Sequence, residues 1–304
     1  RYDMIGRVEN GTKQTMAKGY LHTAFYAYKI DYCFLPAAQS TAPSFLSTVC
    51  SSALFPGGEN TMVEGKKYAI LLCAEDSDYV KRKYAGYFGV FVGLLAEEGE
   101  TWKVFRVAAG EFPADDEIPE FDGFVISGSC SDAHGNDVWI CRLLLLLKKL
   151  RFMNKKVLGI CFGHQILGRA LGGKTGRAKA GWDIGFGTVE ILPSSKLESL
   201  NLPSQLSIIQ CHRDEIRELP PKAEILGWSE RTGVEMFRYG DNMMGIQGHP
   251  EYNHDILSHL IDRLLQRNLI NEVAVNEIRT KLVGKEADKM AWKKLCTSFL
   301  KGRV

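Results

Sequence analysis

The sequence predicts an α/β protein whose central sheet is mostly parallel and flanked by helices. Three observations carry this reading. Short, wholly apolar runs alternate with segments of helical spacing from residue 66 onward. Strands apolar at every position are buried on both faces, which is the habit of parallel sheet. One such run also passes straight into a helix through a glycine-flanked turn, Gly159-Ile-Cys161-Phe-Gly163.

The elements follow in order. Residues 68–73 (YAILLC) are an apolar run ending in an acidic loop, a buried strand feeding a helix. Residues 79–95 carry apolar side chains at helical spacing, with Gly99 as the stop. Residues 103–107 (KVFRV) and 121–127 (FDGFVIS) are the second and third strands. Residues 138–152 read as a helix with Trp139, Leu143, Leu146 and Leu150 on one face. Residues 156–160 (KVLGI) form a fourth strand, and a helix begins over 164–171. Stretches near 187–192, 206–211, 223–228, 234–237 and 243–247 look like strands too closely spaced for intervening helices. Part of the sheet is therefore expected to be antiparallel. Two or three helices close the chain over 255–301.

No repeat or interior linker interrupts 66–304, which reads as one domain. Residues 1–65 read as an extension, disordered or non-native. Their 37–55 stretch is rich in Ser, Thr and Ala, as transit peptides are, but no Arg lies between Arg7 and Arg82. Residue 1 is Arg, so the true start is expected to lie elsewhere, and Met62 makes a natural start for the folded part.

Lys+Arg 38 against Asp+Glu 36 leaves a net charge of +2, which gives no reason to expect a nucleic acid partner. No apolar run approaches the roughly 18 residues of a membrane span. The eight cysteines are scattered and contain no C-x-x-C pair, which points to free thiols in a reducing compartment.

The chemistry concentrates at Cys161. G-x-C-x-G at a strand-to-helix junction is a nucleophile elbow with Cys in place of Ser. Small residues on either side let strand and helix approach closely, and the helix N-terminus favours thiolate at the sulfur. A thiol nucleophile needs a base, and the base needs an orienting group. Of the seven histidines, His22 lies in the extension, His134 in a polar loop, and His254 and His259 near a helix start. His164, inside the elbow helix, reads as structural support. His249 ends a strand in G-H-P-E, with Glu251 two residues on to orient its ring. His212, in CHRDE, also ends a strand, and either cleft contact or plain loop polarity accounts for it. Oxyanion donors are expected from the N–H of Phe162 and from Gly128 or Ser129 in the loop after the third strand.

Four segments together resemble the class I, triad-type glutamine amidotransferases, a flavodoxin-like fold. They are FDGFVISGS at 121–129, VLGICFGHQILGRALGG at 157–173, CHRDEI at 211–216 and IQGHPEY at 246–252. The resemblance implies Cys161 as nucleophile, His249 as acid/base and Glu251 as orienting carboxylate. It matches Gln165 to the elbow glutamine that helps hold the substrate's glutamate head group, and His212 and Asp214 stand as further candidates for substrate contact. The blocks CAEDSDYVKRKYAGYFGVF, VFRVAAGEFP and WKKLCTSFLKGR narrow the likeness to plant γ-glutamyl peptidases. Those are cytosolic, stand-alone enzymes that hydrolyse glutathione conjugates in sulfur metabolism, such as glucosinolate and camalexin synthesis. The implied substrate is a small γ-glutamyl compound, with no metal or organic cofactor and no protein partner required. Ser129-Cys130-Ser131 departs from relatives that carry Pro near that position. Two other readings compete: a glutaminase subunit serving a separate synthetase, and a non-catalytic binding protein on the same fold. The leaving-group pocket is expected among loops 76–87 and 174–186, where Tyr84, Tyr87, Trp182 and Phe186 compete between lining it and simple packing.

Overall fold

The structure, a computed structural model, describes residues 65–304. The readings of the Ser/Thr/Ala-rich stretch and of Met62 as a start fall outside the described residues. The strands are β1 (Lys67–Leu71), β2 (Thr101–Phe105), β3 (Gly123–Ile126), β4 (Lys156–Ile160), β5 (Lys174–Arg177), β6 (Asp183–Ile191), β7 (Gln205–His212), β8 (Asp214–Glu218), β9 (Glu224–Ser229), β10 (Gly233–Tyr239) and β11 (Met243–Ile246). The helices are α1 (Asp78–Tyr84), α2 (Gly86–Leu95), α3 (Val138–Phe152), α4 (Phe162–Ala170), α5 (His254–Gln266), α6 (Glu272–Leu282) and α7 (Lys289–Leu300).

Nine strands make one sheet in the order β2-β1-β3-β4-β11-β10-β9-β6-β7. The first five are parallel, and the remaining four continue antiparallel. The sheet curls until its far strand meets its middle: Ile209 of β7 bridges His249, just beyond β11. The β7 end thereby reaches the C-terminal ends of the parallel strands.

Apolar side chains alternate to both faces of the parallel strands. Tyr68, Ile70, Val125, Leu158 and Ile160 pack with Phe91 of α2 and Trp292, Leu295 and Phe299 of α7. Ala69, Leu71, Phe124, Ile126 and Val157 pack with Leu143, Leu146, Leu147 and Leu150 of α3 and Ile166 of α4. Two covered faces explain why these strands read as unbroken apolar runs.

Three details differ from the sequence expectation. The helix expected over 79–95 is two helices, because Ala85 and Gly86 both take left-handed φ, 56° and 80°. A side chain on Gly86 would meet the Asp76 carboxylate at 2.6 Å, and that carboxylate accepts the Tyr87 N–H at 2.7 Å. The elbow helix starts at Phe162, two residues earlier than expected. The antiparallel ribbon of β5 and β8 lies where loops were expected. Its strands are mostly polar, and only Asp214 and Ile216 are buried.

Trp292 is fully buried, and its indole N–H donates to Ser207 C=O at 3.0 Å, tying α7 to β7. Trp292→Ala is expected to cost about 3–5 kcal/mol of unfolding free energy, read by urea denaturation. A loss below about 1 kcal/mol would show that α7 does not clamp the sheet.

Candidate active site

Cys161 sits between β4 and α4 with φ 54° and ψ −104°, a conformation L-residues avoid. Two close approaches enforce it. A Cβ on Gly159 would lie 2.4 Å from Gly163 C=O, and one on Gly163 would lie 2.3 Å from Ile126 C=O. The first turn of α4 is thus pressed onto β3 and β4 with room for hydrogen alone. Cys161 N–H donates to Ile246 C=O at 2.9 Å, and Gln165 N–H donates to Cys161 C=O at 3.0 Å, locking the turn on both sides. Phe162 is the first helical residue, so its N–H has no acceptor within the helix.

β11 runs beside β4 with Gly245 opposite Gly159 and Ile246 opposite Ile160. That register delivers His249 beside Cys161. The His249 N–H donates to Ile209 C=O at 2.7 Å, and its ring Nδ1 donates to Glu251 Oε1 at 2.8 Å. The Cys161 sulfur lies close enough to the same ring to act on its charge. Tyr252 stacks on the ring face, 4.0 Å between centroids and 3° from parallel. Gly128 lies against the ring edge: a Cβ there would be 2.9 Å from His249 Cε1 and 3.7 Å from Cys161 Cβ. Burial alone would pull the His249 pKa down, but the Glu251 charge and Cys161 overcome it and raise the pKa to about 10. The ring is therefore held as imidazolium next to the sulfur.

A cleft of about 610 Å³ opens over these residues. Gln165, His212, Asp214, Ser129, Cys130 and Cys211 also line it. The Gln165 amide NH₂ donates to Asp214 C=O at 2.8 Å and to Gln247 Oε1 at 3.1 Å, which leaves its oxygen for a ligand. His212 Nδ1 donates to Asp214 C=O at 2.9 Å, and burial pushes its pKa down to about 3, so the ring is neutral. The Asp214 carboxylate is tied to Arg177 at 2.5 Å and lies 3.4 Å from His134 Nδ1. Ser129 Oγ accepts the Ser131 N–H at 3.1 Å. His164 is buried against Phe237, 5.1 Å between rings, and burial lowers its pKa to about 4, as suits a structural residue.

Of the leaving-group candidates, Tyr87 and Trp182 line the cleft. Tyr84 instead donates to Asp255 Oδ2 at 2.7 Å, and Phe186 lines a separate cavity and packs on His254. Asp132, His134 and Asp214 bring three ligand atoms within 4.8 Å of one another. The Arg177 guanidinium already bridges Asp132 (2.7 Å) and Asp214 (2.5 Å), so these groups fit a cation poorly.

A thiol on a strained turn, a protonated imidazole beside it and a buried carboxylate behind the ring make a site able to perform acyl transfer through sulfur. All three lie beyond the C-terminal ends of the parallel strands β4 and β11. The class-I glutamine amidotransferase profile matches residues 85–269, and the chain belongs to that family. Gamma-glutamyl peptidase 5 of Arabidopsis thaliana is 47% identical over 245 residues, covering 79% of this chain and 97% of its own. Gamma-glutamyl peptidase 3 of the same plant is 45% identical over 242 residues, covering 78% and 97%. The structure of a glutamine amidotransferase from Thermotoga maritima superposes with a TM-score of 0.61 at 22% identity, covering 77% of this chain and 97% of that one, a likeness of fold.

Sequence reasoning missed Tyr252, although it directly follows Glu251; nothing in a single sequence says that its ring lies flat on the imidazole. It also missed Arg177, whose strand carries no apolar signal.

Two outcomes follow from this geometry. Gly163→Ala is expected to lose about 1–3 kcal/mol of stability through overlap with Ile126 C=O, measured by thermal unfolding; an unchanged Tm would contradict the close approach. The second concerns pH. A pKa raised from 6.5 to about 10 gives stability that is complete below pH 6.5 and lost as pH rises through 10. The stability gap between wild type and His249→Gln, read by urea unfolding, should shrink from pH 6.5 towards 10. A gap that widens with pH would refute the charged ring.

Proposed function

We propose that the chain hydrolyses the γ-glutamyl amide bond of small peptides such as glutathione conjugates, releasing glutamate. The observation that carries this reading is the Cys161–His249–Glu251 constellation, set in a chain that spans 97% of two gamma-glutamyl peptidases at 45–47% identity.

In the proposed reaction the Cys161 sulfur attacks the γ-carbonyl carbon. The developing oxyanion is held by the Phe162 N–H and by an N–H from Gly128 or Ser129. The His249 imidazolium donates its proton to the leaving amine, and the C–N bond breaks to leave a γ-glutamyl thioester on Cys161. The now neutral ring takes a proton from water, whose oxygen attacks the thioester. Collapse of the second tetrahedral species expels the Cys161 thiolate beside a restored imidazolium and frees glutamate. Glu251 keeps the ring oriented and its charge compensated throughout. Gln165, through its free amide oxygen, and His212 and Asp214, from the same wall, are assigned to the glutamate head group. Each step uses side chains and N–H groups of this one chain, so the proposal needs no cofactor and no partner protein. A place in sulfur-containing secondary metabolism, in the cytosol, belongs to the same proposal.

Purified protein given a glutathione S-conjugate is expected to release free glutamate. Cys161→Ser should lower the rate on the order of 10³-fold or more, and Glu251→Gln less severely. Equal release by Cys161→Ser would defeat the assignment. Turnover of glutamine alone, with none of the peptides, would favour a glutaminase instead.

A further inference from the structure

The α5 side of the cleft presents one helical face: Leu260, Arg263, Leu264 and, at the helix C-cap, Arg267. The spacing i, i+3, i+4, i+7 puts all four on one stripe. The other cleft arginines are occupied. Arg177 is paired with Asp132 and Asp214, and Arg213 lies over the Trp182 ring at 5.8 Å. Among the described residues, the Arg263 and Arg267 side chains have no ion-pair partner. Two unpaired guanidiniums facing a cleft, one helical turn apart, suit an anionic group that arrives with the substrate.

Arg263 connects to the chemistry through a row of aromatic rings. Arg263 lies near enough to Tyr87 for its charge to act on that hydroxyl. Tyr87 is 6.1 Å from Tyr252, ring to ring, and Tyr252 stacks on His249. An extended peptide advances about 3.3–3.6 Å per residue, so the terminal carboxylate of a two-residue leaving group lies about 7 Å from the scissile bond. Arg263 and Arg267 are offset by about 6 Å along the helix, which lets both close on one carboxylate reaching out along the cleft.

We propose that Arg263 and Arg267 bind the C-terminal carboxylate of the leaving peptide. On the γ-glutamyl peptidase reading, on which this rests, they make the site select γ-glutamyl peptides ending in a free carboxylate over γ-glutamyl amides, glutamine included. Glutamine leaves as ammonia and offers this stripe nothing to hold.

The test compares kcat/KM of the purified full chain for S-benzyl glutathione and for the same conjugate with its glycine carboxylate amidated. The acid is expected to be preferred about 10- to 100-fold, the range of a charged hydrogen-bonded contact. In the double variant Arg263→Gln, Arg267→Gln the preference should fall towards one. A wild-type preference near one overturns the proposal, and the wild-type comparison stands even if the variant folds poorly. A preference that persists in a folded double variant also overturns it. If the wild type cleaves both substrates equally, the peptidase reading stands and this inference falls. If it releases glutamate from neither, both fall.

Discussion

The close approach of α4 to β3 and β4, through Gly159 and Gly163, is the constraint on which the rest of the site depends. It forces Cys161 into positive φ at the head of a helix, with its sulfur at the C-terminal edge of the sheet. Such a turn stores strain of roughly 1–3 kcal/mol and persists only because its surroundings over-determine it. Here they are the parallel ladders of β3, β4 and β11 and the two hydrogen bonds that bracket Cys161. The same register that holds the turn brings His249 into place, so thiol and ring are positioned by one piece of sheet.

The second determinant is electrostatic. A fully buried imidazole would ordinarily be neutral, as His164 and His212 are. His249 differs because a buried carboxylate stands 2.8 Å behind it and the Cys161 sulfur lies in front. Tyr252 covers one ring face and Gly128 sits at the ring edge, which leaves the imidazole little freedom to swing away. Three buried histidines in one fold thus carry two different charge states, and the neighbours of each decide which. The curl of the antiparallel strands completes the cleft by bringing the β7 end, with Cys211 and His212, against the residues after β11.

Much of this was legible in the sequence for identifiable reasons. Strands covered on both faces left unbroken apolar runs, and the elbow left glycines at fixed offsets from Cys161. The G-H-P-E segment showed a histidine and a carboxylate on one turn. What could not be read depended on distant partners. The kink at Ala85 needs Asp76 to cap the second helix. The β5–β8 ribbon is stabilised by pairing and by Ile216, which packs where Gly168 lacks a side chain, with hardly any apolar pattern of its own. The commitment of Asp214 to Arg177 and the arginine stripe of α5 emerge only when β5, β8 and α5 fold around one cleft.

The central claim is that Cys161, among several thiols at one cleft, carries the acyl group. Acid-quenching the enzyme during turnover of a γ-glutamyl substrate, followed by peptide mass mapping, tests it directly. A γ-glutamyl mass increment is predicted on the peptide containing Cys161, removable by hydroxylamine. Glutamate release with the increment on Cys130 or Cys211 instead, or with none on any cysteine under conditions that preserve thioesters, would contradict it.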